Sequence, residues 1–218
     1  MAIGKPLKRV DALEKATGRA LYTDDFQVPG VLVAKCVRST IAHGRVKSID
    51  VQSAKALSGI VNVFTYEDVP STPFATAGHP LNLDPKHEDV ADRLILTRDI
   101  RFYGDEIAVV VAESEKIAQE ALELIRVEYE VYEPLMTPER ILALGAREIH
   151  KGSGNMAGEN AFQCGGDVQK AFLESDFLLE ADYQTRMVQH CQMENHSVLA
   201  HMKDGNRITL VTATQIPQ

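Results

Sequence analysis

Apolar and polar positions change period several times along this chain, and each change marks an element. Ile107 to Ala112, I-A-V-V-V-A, is the longest uninterrupted apolar run. A continuous run of this length reads as a strand buried on both faces, of the parallel-sheet kind. Ser114 then opens S-E-K-I-A-Q-E-A-L-E-L-I, in which Ile117, Ala121, Leu124 and Ile125 recur at helical spacing opposite charged positions. Next, R-V-E-Y-E-V-Y, Arg126 to Tyr132, alternates with period two. Strand, helix and strand within 26 residues predict a βαβ unit with a right-handed crossover.

Val31 to Val37, Val46 to Val51 and Ile60 to Thr65 also read as strands, with a short helix after Ser53 that Gly59 ends. Asp68 to Asp92 carries four prolines and reads as a long excursion. Thr137-Pro138 starts a short helix with Pro at its first position. From Gly145 to Gly166 periodicity disappears and glycines accumulate, which predicts a linker or domain boundary. Beyond it, Asp167 caps a helix, F-L-L-E-A-D-Y-Q-T-R-M-V reads as a long strand, and Ser197 to Met202 with Arg207 to Ala213 form a hairpin across K-D-G-N.

Composition narrows the class more than the chemistry. The chain has 218 residues, 44% of them hydrophobic, enough for one sizeable core or two small ones. A net charge of −8 without a basic stripe argues against nucleic acid and against an anionic membrane surface. Six apolar residues in a row are far short of the ~20 a membrane helix needs. The first residues carry charge but no apolar core, unlike a secretory signal. Cys36, Cys164 and Cys191 form no C-x-x-C pair, which fits reduced thiols and a cytoplasmic protein.

The densest chemistry lies in V-Q-H-C-Q-M-E-N-H, Val188 to His196. On a strand, His190, Gln192, Glu194 and His196 would share one face. A structural zinc site wants three or four ligands in two close pairs, and no second pair exists; a hydrogen-bonded polar strand is the favoured reading. Glu113, Glu115, Glu120 and Glu123 read as a solvated helix face. Glu120 has Leu124 rather than a lysine four positions on, so intrahelical pairing does not account for it. Gly152-Ser153-Gly154 and Gly165-Gly166 lack the pattern of phosphate loops. His43 and His79 are lone loop histidines with structural roles. Two classes stay open on these grounds: part of an enzyme whose site other segments complete, and a binding or assembly module.

Several stretches taken together go further. R-V-D-A-L-E-K-A-T-G-R-A-L-Y-T-D-D, Arg9 to Asp25, resembles the opening of the molybdenum-binding subunit of the xanthine dehydrogenase and aldehyde oxidase family. V-R-S-T-I-A-H-G-R-V-K-S-I-D, G-D-E-I-A-V-V-V-A-E-S, G-D-V-Q-K-A-F, V-Q-H-C-Q-M-E-N-H and T-A-T-Q-I-P are similar to later blocks of that family in the same order. F-A-T-A-G-H-P with the acidic loop after it looks like the bacterial xanthine dehydrogenase branch.

The resemblance implies a mixed α/β (α+β) fold: an a/b hammerhead domain over residues 1–133, a linker over 134–165, and the incomplete start of a molybdenum-cofactor-binding domain over 166–218. It implies a hydroxylase that oxidises purines such as xanthine or hypoxanthine with oxygen from water. Electrons would leave a molybdenum–molybdopterin group through two-iron two-sulfur clusters and FAD to NAD. The partners implied are the remaining molybdenum-binding segment, an FAD subunit and an iron-sulfur subunit, with homo-oligomer formation open. The pterin dithiolene holds the metal, so V-Q-H-C-Q-M-E-N-H is no ligand set, and no catalytic residue or metal ligand is expected within these residues. Gln215 matches the family glutamine whose amide hydrogen-bonds an oxygen ligand of molybdenum, a contact that adds no charge. Glu106 and Asn195 depart from the family pattern, where proline, or proline or threonine, is usual. The family's phenylalanine-bearing glycine loop and catalytic glutamate are expected beyond Gln218, which makes the chain a gene fragment or a split subunit, inactive alone. The alternatives are a non-catalytic assembly or scaffold module, or a subunit of an aldehyde or other N-heterocycle hydroxylase.

Overall fold

The computed structural model describes residues 3–75, 91–156, 162, 164–203 and 205–214. In chain order the elements are α1 (Ala12–Thr17), β1 (Val33–Arg38), β2 (Gly44–Asp50), α2 (Gln52–Lys55), β3 (Ile60–Thr65), β4 (Asp99–Ile100), β5 (Glu106–Ala112), α3 (Glu115–Leu124), β6 (Arg126–Val131), α4 (Pro138–Ile141), α5 (Val168–Glu174), β7 (Val198–Lys203) and β8 (Arg207–Thr212), with a 3₁₀ turn at Thr23–Asp25. Contacts group them into two compact units, Gly30–Cys164 and a second made of Met1–Pro29 with Gly165–Gln218. The first 29 residues thus group by contact with the C-terminal part.

Gly30–Cys164 holds two three-stranded sheets, ordered β1-β5-β3 and β4-β2-β6. β5 pairs antiparallel with both its neighbours, and β6 pairs antiparallel with β2 in the other sheet. The expected parallel βαβ crossover is therefore not formed. The apolar run of β5 reports burial, which any central strand has, and burial does not specify strand direction. Val110 and Ala112 of β5 cluster with Ala54 of α2 and with Ala118 and Ala121 of α3, whose small side chains let the helix lie close to the sheet. Ile107 clusters instead with Val46 and Ile100 of the second sheet. Full burial of a side chain like Ile107 is worth about 1.5–3 kcal/mol.

Local signals account for most element ends. The Ser114 hydroxyl accepts from the Ile117 N–H at 3.4 Å and starts α3. Glu115 pairs with Lys35 of β1 at 2.6 Å. Glu120 does have a lysine within the helix, Lys116, four residues back and 3.9 Å away in an exposed pair. α2 starts from Val51 rather than Ser53, with the Asp50 carboxylate accepting from the Gln52 N–H at 3.0 Å. Gly59 ends that turn at φ +85°, where a Cβ would press on the Ile117 side chain.

The entry to β5 is built from buried polar groups. Asp105 is fully buried. Its carboxylate accepts from Arg93 at 2.6 Å and from the Arg101 N–H at 3.0 Å. Ser39, at the end of β1, accepts at its hydroxyl from the Gly104 and Asp105 N–H groups, both at 3.1 Å. Glu106, which departs from the family pattern, pairs with both Arg38 and Arg93. His43 is also structural: it is buried, with Nδ1 3.1 Å from the Glu133 carbonyl and its ring edge-on to Tyr132. Of the excursion, Phe74 bridges to Arg93, while His79 lies outside the described residues.

The described part of the glycine-rich stretch is locally ordered. The Glu148 carboxylate accepts from the Gly152 and Gly154 N–H groups at 2.7 and 3.2 Å. Asn155, at φ 61°, donates its amide to the Ile141 and Arg147 carbonyls and accepts from the Ile149 N–H. Arg147 stacks over Tyr132, 3.6 Å from the ring centre. His150 and Arg101 both meet Asp92, at 2.5 and 3.1 Å. Burial pushes the Asp92 carboxyl up, but the hydrogen bond from His150 and the charge of Arg101 outweigh it and hold it below its ordinary value.

In the second unit, Asp167 caps α5 by accepting from the Gln169 and Lys170 N–H groups. β7 and β8 form the expected antiparallel hairpin. The long strand expected from Phe177 does not form: residues 177–188 are irregular. A strand needs a neighbour for its backbone groups, and among the described residues none pairs with this segment.

Two outcomes follow for Gly30–Cys164. Asp105→Ala should lower the unfolding free energy by about 3 kcal/mol in urea titration, because it takes away one of the two carboxylates that hold Arg93 and leaves the Arg101 N–H without its acceptor. Asp99→Ala, which removes only the exposed pair with Arg45, should cost less than about 1 kcal/mol. A carboxyl held low in the folded state stabilises at pH above its unfolded value and loses that contribution as pH falls through the folded value. Protection of the amides over residues 147–155, taken relative to their intrinsic exchange at each pH, should therefore fall on acidification, and Asp92→Asn should lower it already at neutral pH.

Candidate functional site

The second unit contains an open hollow of about 550 Å³, lined by residues 21–23 and 26, Gln192, Glu194, His196 and residues 211–214. Its N-terminal wall is set by a sequence of local devices. Gly18, at φ 68°, ends α1, with the Arg19 N–H donating back to the Glu14 carbonyl at 2.8 Å. The chain then reaches the 3₁₀ turn, where the Asp25 carboxylate accepts from the Tyr22 N–H at 2.8 Å. That turn buries Thr23 and presents its N–H to Glu194 Oε1 at 3.4 Å. The opposite wall is the end of β8, where the Thr212 hydroxyl donates to the Ser197 carbonyl at 3.3 Å.

V-Q-H-C-Q-M-E-N-H is not the strand that alternation suggested. Cys191 takes a left-handed conformation at φ 51°, and residues 193–194 bend. Gln192, Glu194 and His196 nevertheless meet at the hollow, while His190 is not among its lining residues and Met193 points fully into solvent. Among the described residues, no group of three or more His, Cys, Asp or Glu is arranged to hold a metal ion. Cys36, Cys164 and Cys191 are free thiols. Gly152-Ser153-Gly154 offers no anion cradle, because the amides of its two glycines already serve Glu148.

Gln215 lies outside the described residues. Ala213 and Thr214, which precede it, line the hollow. That wall can offer neutral hydrogen bonds through Gln192 and the Thr212 hydroxyl, and one carboxylate through Glu194. Among the described residues no lysine or arginine lines it, so they do not fit the phosphate end of a pterin cofactor. The part played by Tyr22 to Asp25 was missed in the sequence, although Y-T-D-D carries a recognisable capping signal. The contact with Glu194, 171 positions away, carries no such signal.

Comparison with known proteins places both halves. Residues 17–133 match the model for the a/b hammerhead domain of aldehyde oxidase and xanthine dehydrogenase, and residues 149–218 match the molybdopterin cofactor-binding domain. The xanthine dehydrogenase molybdenum-binding subunit of Escherichia coli O157:H7 is 47% identical over 96% of this chain and 28% of its own length. The nicotinate dehydrogenase large molybdopterin subunit of Eubacterium barkeri is 33% identical over 99% of the chain and 48% of its own length. The structure resembles aldehyde oxidoreductase from Desulfovibrio gigas, with a TM-score of 0.80 and 29% identity over 93% of this chain and 22% of that one. The chain thus spans little more than a quarter of the Escherichia coli relative. Among the described residues no helix is long and apolar enough to cross a membrane.

Protein purified without a histidine tag is expected to hold no stoichiometric zinc, and His190→Ala and His196→Ala should leave metal analysis unchanged.

Proposed function

The chain belongs to the aldehyde oxidase and xanthine dehydrogenase family, and from that premise we propose that it is the N-terminal part of the molybdenum-binding subunit of a xanthine-dehydrogenase-type hydroxylase. The observation that carries the reading is 47% identity to the Escherichia coli xanthine dehydrogenase subunit over 96% of this chain. The substrate is a purine, xanthine or hypoxanthine. The hammerhead domain ends near residue 133, a connection covers 134–165, and the cofactor-binding domain starts from 166. Molybdopterin, when bound by the complete subunit, supplies the two-electron oxidation of the ring carbon. Electrons then pass to iron-sulfur clusters and FAD on partner subunits, and on to NAD, in the cytoplasm.

Within this chain, Gln215 is the residue we assign to the cofactor. Its amide donates one neutral hydrogen bond, worth about 0.5–1.5 kcal/mol net. Retention at nanomolar affinity needs about 12 kcal/mol, and among the described residues the hollow at residues 211–214 has no lysine or arginine for a phosphate. Most of the binding therefore rests with the rest of the subunit. A second reading, hydroxylation of another N-heterocycle, is favoured by the likeness to the Eubacterium barkeri subunit over 99% of the chain.

Turnover separates these readings. The complete complex carrying this sequence should reduce dye with xanthine or hypoxanthine and much more slowly with nicotinate or aldehydes; the reverse order would contradict the purine assignment. Gln215→Ala in that complex should lower turnover about 2–10-fold, the loss of one such hydrogen bond, while Gln192→Ala should matter less. The 218 residues expressed alone should show no xanthine-dependent dye reduction.

A further inference from the structure

Thr23 opens the 3₁₀ turn Thr23–Asp25, and the first N–H of a helical turn has no partner within it. Here that N–H also sits away from water, because Thr23 is buried. A buried backbone donor needs an acceptor, and the one it meets is Glu194 Oε1, 3.4 Å away and 171 positions along the chain. The turn itself forms without Glu194. The Asp25 carboxylate accepts from the Tyr22 N–H, and the Asp25 N–H donates to the Tyr22 carbonyl at 2.9 Å. Local chemistry therefore makes the turn, and Glu194 fixes what the turn is attached to.

The backbone is strained on the way to Glu194. Cys191 is left-handed at φ 51°, a conformation that costs a residue with a β-carbon and persists only where its surroundings hold it. The bend at 193–194 then brings Glu194 to the hollow. Gln192 and His196 line the same hollow but make no hydrogen bond among the described residues, so the hold on the N-terminal turn falls to Glu194. Three residues on, the Ser197 carbonyl accepts from the Thr212 hydroxyl at 3.3 Å, and Val198 pairs with Thr212. Glu194 to Ser197 are thus tied at one end to the turn and at the other to the end of β8. Ala213 and Thr214 line the hollow with Glu194, and Gln215 is next in the chain.

Resting on the assignment of Gln215 above, we propose that Glu194 is a positioning residue for the oxidation. Through the Thr23 N–H it clamps the N-terminal turn to residues 194–197, and through them it sets the end of β8 from which Gln215 follows. Its carboxylate serves as a hydrogen-bond acceptor and not as a proton carrier, so glutamine can replace it and alanine cannot.

Hydrogen exchange read by mass spectrometry on the complete subunit, without substrate, tests the clamp. Glu194→Ala should speed exchange over residues 20–26 and 211–214 about 2–10-fold, the loss of one hydrogen bond. Glu194→Gln should keep the original rates. Thr23→Pro deletes the same N–H at the first position of the turn, where proline is accommodated after the extended Tyr22. It should speed 211–214 as much as Glu194→Ala does, and the double variant no further. Amides of Val168–Glu174 report that the unit stays folded; where Glu194→Ala loses those too, Thr23→Pro decides. Turnover reads the consequence. Glu194→Ala should lower kcat with xanthine about 2–10-fold, leave KM and molybdenum content unchanged, and add nothing to Gln215→Ala. Unchanged exchange over 211–214 in both single variants would overturn the proposal. So would a loss in kcat that adds to that of Gln215→Ala, or equal losses in Glu194→Gln and Glu194→Ala. Gln215→Ala without effect on turnover, beside the expected exchange changes, would sink the assignment of Gln215 and leave the clamp. An unaltered complex that does not oxidise xanthine would sink the purine reading, and exchange would still decide the clamp.

Discussion

The buried contact between Asp105 and Arg93 is the constraint on which the larger unit depends. Asp105 is fully buried and immediately precedes β5, the strand that pairs with both β1 and β3. An unpaired carboxylate there would carry a desolvation cost of several kcal/mol. Arg93 meets it from the returning end of the excursion, and the Arg101 N–H from the end of β4. Ser39 ties the same point to the end of β1. One carboxylate therefore fixes where the excursion returns, where β4 ends and where β5 begins. The register that places Val110 and Ala112 against the helices follows from that start.

Much of this fold could be read from local chemistry. Ser114, Thr137 and Asp167 each cap the helix they precede, and K-D-G-N joins the two strands of the hairpin. Each is a short-range device with a sequence signature. Direction and pairing were less legible. The β5 run looks the same whether its neighbours are parallel or antiparallel, and only long-range pairing to β1 and β3 decides. The roles of Asp105, Glu106 and Glu148 stayed hidden because their partners are set by the fold or by turns without a standard pattern. Phe177 to Val188 shows the converse, a strand pattern with no strand.

The site divides in the same way. Gln192, Glu194 and His196 do come together, but through the left-handed Cys191 and a bend at 193–194, not through the alternation that first grouped them. Their wall is completed by Thr23, which no periodicity connects to them. The hollow mixes apolar and polar walls, and among the described residues no lysine or arginine lines it, so what they offer suits a neutral group better than a phosphate. Residues 149–218 match the molybdopterin cofactor-binding domain; on the function proposed above, this stretch frames the cofactor region and the rest of the subunit supplies most of the grip.

The most direct test of that view is compositional. The complete native complex containing this polypeptide can be purified and assayed for molybdenum, iron, flavin and pterin, the last after acid oxidation. Near-stoichiometric molybdenum and pterin in the polypeptide carrying this sequence, with iron and flavin in the chains that accompany it, is the expected result. A stable, folded complex that contains neither molybdenum nor pterin, when expressed in a host that makes the cofactor, would contradict it.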